Sequence, residues 1–297
     1  MIYLGIDGGG TKTTVAAGDE NKNILLKETG ATVNFYSVGM EKARENFKEI
    51  IDRISEKLGV CEFENVFIGS SALECEANEK IIRDFTDGIL NARKIGMNSD
   101  LYVALKSAES DGAKIVVISG TGSMAIGEDE NGNISKRGGW GHILGDEGSA
   151  YSIAVSLLKK AVCEYDNGSC ENLISEICVK LGIENFSHLT DFIYGKDTTK
   201  EKIASLSLLV DEKAQNGDLI CSEILKNECK ALYNTVKPLV CSLGKNTPVF
   251  LYGGVFQNSV MFKNEFAELL KNDFPDIDVS LLDTPPENGA LFESYKL

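Results

Sequence analysis

Apolar and polar positions along this chain run through two rounds of one pattern. The first round opens with IYLGID, turns at GGGTKT, continues through TVAAGD, turns at N-K-N and goes on as ILLKET. Short runs of β-favouring residues between turn formers predict a three-strand meander. From Val38 to Leu58 the period changes. Ala43, Phe47, Ile50, Ile51, Ile54 and Leu58 recur three and four positions apart, as the apolar face of a helix requires, with Glu and Lys on its solvated side. NVFIGSSA then predicts a strand, Asn78 to Asn91 a helix, the surroundings of Gly96 a short strand, and Asp100 to about Ser110 another helix.

The second round starts at KIVVISG, turns at GTGS, runs through MAIGED, turns at N-G-N and continues as ISKRGG. Ser149 to Lys245 is mainly helical in pattern, with loops near Asn167, Asn185 and Asn216. PVFLYGGVFQN is an apolar strand running into glycines, followed by a helix to about Lys271, a strand DVSLLD, a P-P turn and a last helix. A meander and then alternating strands and helices, twice over, predict a mixed-sheet α/β protein made by duplication of one domain. With no Pro/Ser-rich linker between the halves, the boundary is expected near Gly112 to Lys114. That gives domains 1–112 and 113–297, the second carrying a helical insertion.

Composition narrows the function. Thirty basic against 45 acidic residues leave a net charge of −15, which disfavours nucleic acid and anionic membranes as partners. An anionic substrate would need a local device, such as glycine-loop amides or a metal. The start, MIYLGIDGGG, has neither the basic residues nor the long apolar stretch of a signal peptide, and no apolar run approaches the roughly 20 residues of a membrane span. The expected location is the cytoplasm. The eight cysteines contain no C-x-x-C pair, so reduced, mostly buried thiols are expected.

Three glycine turns carry the candidate chemistry. In IDGGGTKTT a strand delivers Asp7 to its end, and Gly9, Gly10, Thr11 and Lys12 follow where backbone amides can turn to an anion with no Cβ in the way. A carboxylate beside such a nest repels a bare phosphate, but suits one accompanied by Mg²⁺. SGTGS repeats the device with Thr121, Gly122 and Ser123. GGVFQN, holding Gly253, Gly254 and Asn258, is a third turn without an acid. None of these turns matches a Walker loop or a G-x-G-x-x-G fingerprint. The oddest segment is GGWGHILGDEGSAY, Gly138 to Tyr151, with five glycines, the single tryptophan and one of two histidines. Its glycines would bring backbone close to a ligand, and Trp140 could form an apolar wall. Asp100 and Asp146 each precede a helical pattern and could equally be N-caps. His142 reads as a loop organiser.

Taken in order, IDGGGTKT, GTGS, GGWGHILGDEGSAY and GGVFQN resemble the N-acetylglucosamine kinase branch of the actin/hexokinase/sugar-kinase superfamily. They also resemble the wider group that includes the ATPase subunits of benzoyl-CoA reductase. The resemblance implies two ribonuclease-H-like domains with a nucleotide and sugar cleft between them. Carried over by position, it implies nucleotide contacts at Thr11, Thr121, Ala214, Gly254 and Asn258, and Mg²⁺ at Asp7. It implies a catalytic carboxylate at Asp100, and sugar contacts at Asn34, Ser123, Met124, Gly139, Trp140, Gly141 and Asp146. Met124 stands where those kinases carry a polar residue. The activity implied is ATP-dependent phosphorylation of an amino sugar, most often at the 6-hydroxyl, and a homodimer is compatible with it. The alternative is a nucleotide-driven switch of the reductase-activator type, which would call for a cluster-binding cysteine pair.

Overall fold

The computed structural model describes every residue except Cys170, and the chain forms two compact units, Met1–Asp111 with Leu282–Leu297, and Gly112–Leu281. In the first, strands β1 (Ile2–Gly8), β2 (Lys12–Asp19), β3 (Ile24–Ala31), β4 (Phe63–Ser70) and β5 (Ala92–Ser99) make a sheet in the order β3-β2-β1-β4-β5. The meander pairs antiparallel, while β1–β4 and β4–β5 are parallel. In the second unit, β6 (Lys114–Ser119), β7 (Ser123–Glu128), β8 (Ile134–Gly138), β9 (Val249–Tyr252) and β10 (Val279–Leu281) repeat that order as β8-β7-β6-β9-β10. The pairing senses repeat too: β6–β7 and β7–β8 are antiparallel, β6–β9 and β9–β10 parallel. The duplication expected from the pattern is therefore a duplication of topology.

Burial explains why the strands read as they do. Central β4 is buried at seven of its eight positions, the signature of a parallel strand covered on both faces, and it gives the apolar run NVFIGS. Edge strand β3 alternates between exposed and half-buried positions. The Met40–Leu58 helix buries Ala43, Phe47, Ile50, Ile51 and Ile54, the face expected from their spacing. It starts at Met40, not Val38, because Gly39 at φ +82° breaks it from the turn Phe35–Val38. The next helix spans only Glu79–Thr86 and stops before Gly88, at φ +75°. Strand β5 is eight residues long, not a short piece around Gly96. Its polar sequence ARKIGMNS hides it, and the pairing with β4 along its length makes it.

The terminal segment Leu282–Leu297, expected with domain 113–297, groups with the first unit. Two glycines make this possible. A Cβ on Gly5 of β1 would lie 2.0 Å from the Leu291 amide nitrogen, and one on Gly289 would lie 2.0 Å from the Val103 carbonyl oxygen. The Pro286–Ser294 helix thus rests backbone to backbone on β1 and on the Asp100–Ser107 helix. Asn65 Nδ2 donates to the Ser294 carbonyl at 2.9 Å, and Lys27 pairs with Glu287 at 2.9 Å. Because the obstructing atoms are backbone, Gly5→Ala should lower unfolding free energy by about 3 kcal/mol or more, at the upper end for overpacking. Urea unfolding checks this, and a loss under about 1 kcal/mol would mean the helix can lift without cost.

The cysteines depart from expectation. Of the seven described, all are free thiols, but only Cys221 and Cys229 are buried. No helix among the described residues is long and apolar enough to cross a membrane.

Candidate functional site

In the first unit the carboxyl ends of the parallel strands collect the chemistry, the usual ligand edge of an open α/β sheet. Asp7 is the penultimate residue of β1, in register with Gly69 on β4, and Ser70 at the end of β4 pairs with Ser99 at the end of β5. Asp100 follows Ser99 directly. Ser99, not Asp100, caps the Asp100–Ser107 helix, its hydroxyl accepting from Tyr102 N at 3.2 Å. Asp100 is the first helical residue and accepts its neighbour Leu101 N at 2.9 Å.

Asp7 sits in an unfavourable field. Burial, followed by the carboxylates of Asp100 and Glu287, pushes its carboxyl up to about 8, and Lys12 opposes this only weakly. Behind it, Gly8 admits no side chain: a Cβ there would lie 2.6 Å from Val33 Cγ2 and 2.9 Å from the Gly69 carbonyl oxygen. Gly9, Gly10 and Thr11 form the β1–β2 turn, braced by Thr32 Oγ1 donating to the Gly9 carbonyl at 2.8 Å, and Lys12 is exposed. Asn34 reaches the same edge. Its Oδ1 caps Phe35–Val38 by accepting from Tyr36 N and Ser37 N, and its Nδ2 donates to Ser71 Oγ at 2.9 Å. Ser71 N in turn donates to the Gly8 carbonyl at 2.8 Å.

In the second unit two of the glycine turns meet. Gly253, at φ +104°, would carry a Cβ 2.4 Å from the Ser119 carbonyl oxygen, so GGVFQN packs directly on SGTGS. Beside them lies a cavity of about 340 Å³ whose lining includes Gly120, Thr121, Gly254 and Asn258, within the size range of small-molecule sites. Ala214 does not line it. That residue is buried in the Ser207–Gln215 helix, and Asp211, one turn earlier, faces the cavity instead. Asp211 is anchored on both oxygens, by Ser259 Oγ and by Gln215 Nε2 at 2.6 Å. No local sequence signal marks it.

The Gly138–Tyr151 segment folds back on the β6–β7 turn. Gly139 N donates to Ser123 O at 3.2 Å, Ser123 Oγ to Glu147 O at 2.7 Å, and Ser119 Oγ to Gly148 O at 2.7 Å. Gly139, at φ +73°, lies against Met124, whose Cε would be 2.6 Å from a Cβ there. Asp146 is buried at φ +62°, a backbone region few residues with side chains enter. It does not cap the following helix, since Ser149 does, accepting from Ser152 N at 3.1 Å. Instead the Asp146 Oδ2 stands 2.7 Å from where a Cβ on Gly122 would be, and the Ser123 amide favours its charged form. Burial raises its carboxyl above the ordinary value, opposed by that amide, Lys200 and His142, while Glu147 adds to the rise. His142 packs edge-on against Tyr151 at 4.8 Å, in keeping with a loop organiser. Trp140, with Ile143 and Leu144, is solvent-exposed at 75, 83 and 78%, so no apolar wall exists within this unit alone. Gly141 is exposed beside them.

The profile of the BadF/BadG/BcrA/BcrD ATPase family matches residues 4–291. This chain belongs to that family. It is 32% identical over 294 residues to an N-acetylmuramic acid/N-acetylglucosamine kinase from Clostridium acetobutylicum, covering 97% of this chain and 96% of the relative. It is 28% identical over 306 residues to an N-acetyl-D-glucosamine kinase from Dictyostelium discoideum, covering 97% and 96%. Among solved structures, a glucokinase from Streptomyces griseus in complex with glucose and AMPPNP superposes with a TM-score of 0.63 at 15% identity, over all of both chains. This BadF/BadG/BcrA/BcrD family member thus shares the two-sheet fold of sugar kinases.

Proposed function

We propose that this protein is an ATP-dependent kinase that phosphorylates an amino sugar, N-acetylglucosamine or N-acetylmuramic acid, at the 6-hydroxyl. The observation that carries the reading is the whole-length kinship with two amino-sugar kinases. It is supported by Asp7 and Asp100 standing together at the carboxyl edge of one sheet, and by the cavity beside Thr121, Gly254 and Asn258 in the other unit. The cavity would take the nucleoside, with the amides at Gly9–Lys12 and Thr121–Gly122 turned to the phosphates. Asp100 would orient the sugar hydroxyl and take up its proton. Asn34, Ser123, Gly139 and Asp146 would hold the ring hydroxyls and the substituent.

Asp7 fits a Mg²⁺ ion. A carboxylate buried among like charges is short of a cation, and Mg²⁺ needs only one or two carboxylates alongside phosphates and water. The ion would neutralise charge on the transferring phosphoryl group. The chain is read as a cytoplasmic enzyme, with a homodimer compatible.

ADP release measured with each sugar and with none tests the proposal, together with mass detection of a sugar phosphate. Equal release without sugar, and no phosphorylated product, would leave the reductase-activator reading, which stoichiometric iron in anaerobically purified protein would then favour.

Asp146 gives a pH-dependent expectation. Ionised, it accepts from sugar hydroxyls with both oxygens, and protonation turns one of them into a donor; its carboxyl lies above the ordinary range. The sugar KM should therefore rise on acidification while ordinary carboxylates, near pKa 3.9, are still ionised. Asp146→Asn should show a KM about tenfold higher that no longer varies there, with kcat changed less. A wild-type KM that stays flat until ordinary carboxylates protonate would remove this role.

A further inference from the structure

Glu228 lies outside every motif of the sequence, half-buried on the Leu219–Leu243 helix. Its carboxylate is fully engaged. Oε2 accepts the Gly148 amide at 3.0 Å and Ser152 Oγ at 2.6 Å, and Oε1 accepts Ser156 Oγ at 2.6 Å. All three donors are uncharged. A charge withdrawn from water onto neutral donors is a costly way to tie two helices together, since apolar contacts would do so more cheaply. One of the donors, however, belongs to no helix.

That donor is the Gly148 amide, two residues after Asp146 and directly before the cap Ser149. Asp146 and Gly148 both have left-handed backbone, at φ +62° and +72°. Gly148 is wedged so tightly that a Cβ would lie 2.6 Å from Leu232 Cβ and 2.9 Å from the Glu228 carbonyl oxygen. The left-handed turn that sets the Asp146 carboxylate beside Gly122 is thus held from one side by Ser123 Oγ of β7, which donates to the Glu147 carbonyl, and from the other by Glu228.

We infer that Glu228 is a positioning residue for the sugar site: its carboxylate latches the Gly148 amide and so fixes the turn that presents Asp146. The inference rests on the proposed role of Asp146 in binding the sugar. Without the latch, the Asp146–Gly148 turn relaxes toward ordinary backbone, and the preformed acceptor is lost from the unliganded enzyme. Sugar binding then has to restore it, so the loss falls on sugar affinity while the nucleotide cavity, lined by other residues, keeps its shape.

Two measurements on the full-length protein test this. Glu228→Ala is expected to raise the sugar KM at least about tenfold, with the ATP KM within twofold. It should also speed hydrogen exchange at the Gly148 amide by at least about tenfold. Glu228→Gln keeps an oxygen for Gly148 and Ser152 and can donate to Ser156 Oγ, so it should restore the KM to within about threefold of wild type. If alanine prevents folding, Glu228→Asp, which withdraws the carboxylate by one methylene, should raise the sugar KM at least threefold. Unchanged exchange at Gly148 overturns the latch. Faster exchange with an unchanged sugar KM, or both KM values raised alike, overturns its role in the site. Should the wild type phosphorylate no sugar at all, the proposed function fails, while exchange at Gly148 still decides the latch.

Discussion

Asp100→Asn is expected to lower kcat by about 10²–10⁴-fold, with the sugar KM changed by less than about threefold. Asparagine keeps the size of the side chain and an oxygen for the Leu101 amide, which Asp100 accepts at 2.9 Å. What is removed is the negative charge and with it the capacity to take a proton. The competing role in the sequence, an N-cap, falls to Ser99, and an acid in the first helical turn also brings a favourable charge. That effect amounts to about 0.3–1 kcal/mol of stability and none of turnover. Steady-state kinetics beside a thermal melt separate the two. A kcat within a few-fold of wild type, with Tm slightly lowered, would take Asp100 out of the catalytic role.

Asp7→Ala should abolish Mg²⁺-dependent turnover, by about 100-fold or more, without weakening the fold. Its carboxyl is held at about 8 in the native state against an ordinary value of 3.8. Between those values the folded protein keeps a proton that the unfolded chain gives up. The resulting stabilisation is complete below the lower value and is lost as pH rises through the higher one. At pH 8 and above, metal-free wild type therefore carries a penalty that the alanine variant lacks, and the variant's Tm should equal or exceed that of wild type. Turnover across a Mg²⁺ titration and melts in chelator at pH 5 and 8.5 check both halves. An unchanged Mg²⁺ dependence would take Asp7 out of the metal site, and a Tm several degrees below wild type at pH 8.5 would make it a structural residue.

Much of the candidate site was legible because its parts are local. Glycines that pass close under other atoms have no substitute, so IDGGGTKT, GTGS and GGVFQN stand out in the chain. Gly253 meets the Ser119 carbonyl so closely that only glycine fits. Acids at strand ends, Asp7 and Asp100, are visible for the same reason, since a strand and the turn after it are written in adjacent residues. The lining of the cavity by Asp211, and not by Ala214 three residues on, shows where this stops. Which turn of the Ser207–Gln215 helix faces the cavity depends on how that helix packs, and no neighbour in the sequence records it.

The sequence by itself determined the repeated meander and strand–helix pattern, the turns and the principal acids, because period, turn chemistry and chain adjacency are short-range. Only the tertiary structure decided the rest. Strand β5 has too polar a sequence to announce itself and exists through its pairing with β4. The last helix belongs to the first unit because Gly5 and Gly289, 284 positions apart in number, each remove a Cβ that backbone contact could not tolerate. The raised carboxyl of Asp7 and the latch from Glu228 to Gly148 likewise join residues far apart in the chain, and burial and hydrogen-bond geometry between such residues exist only once the chain has folded.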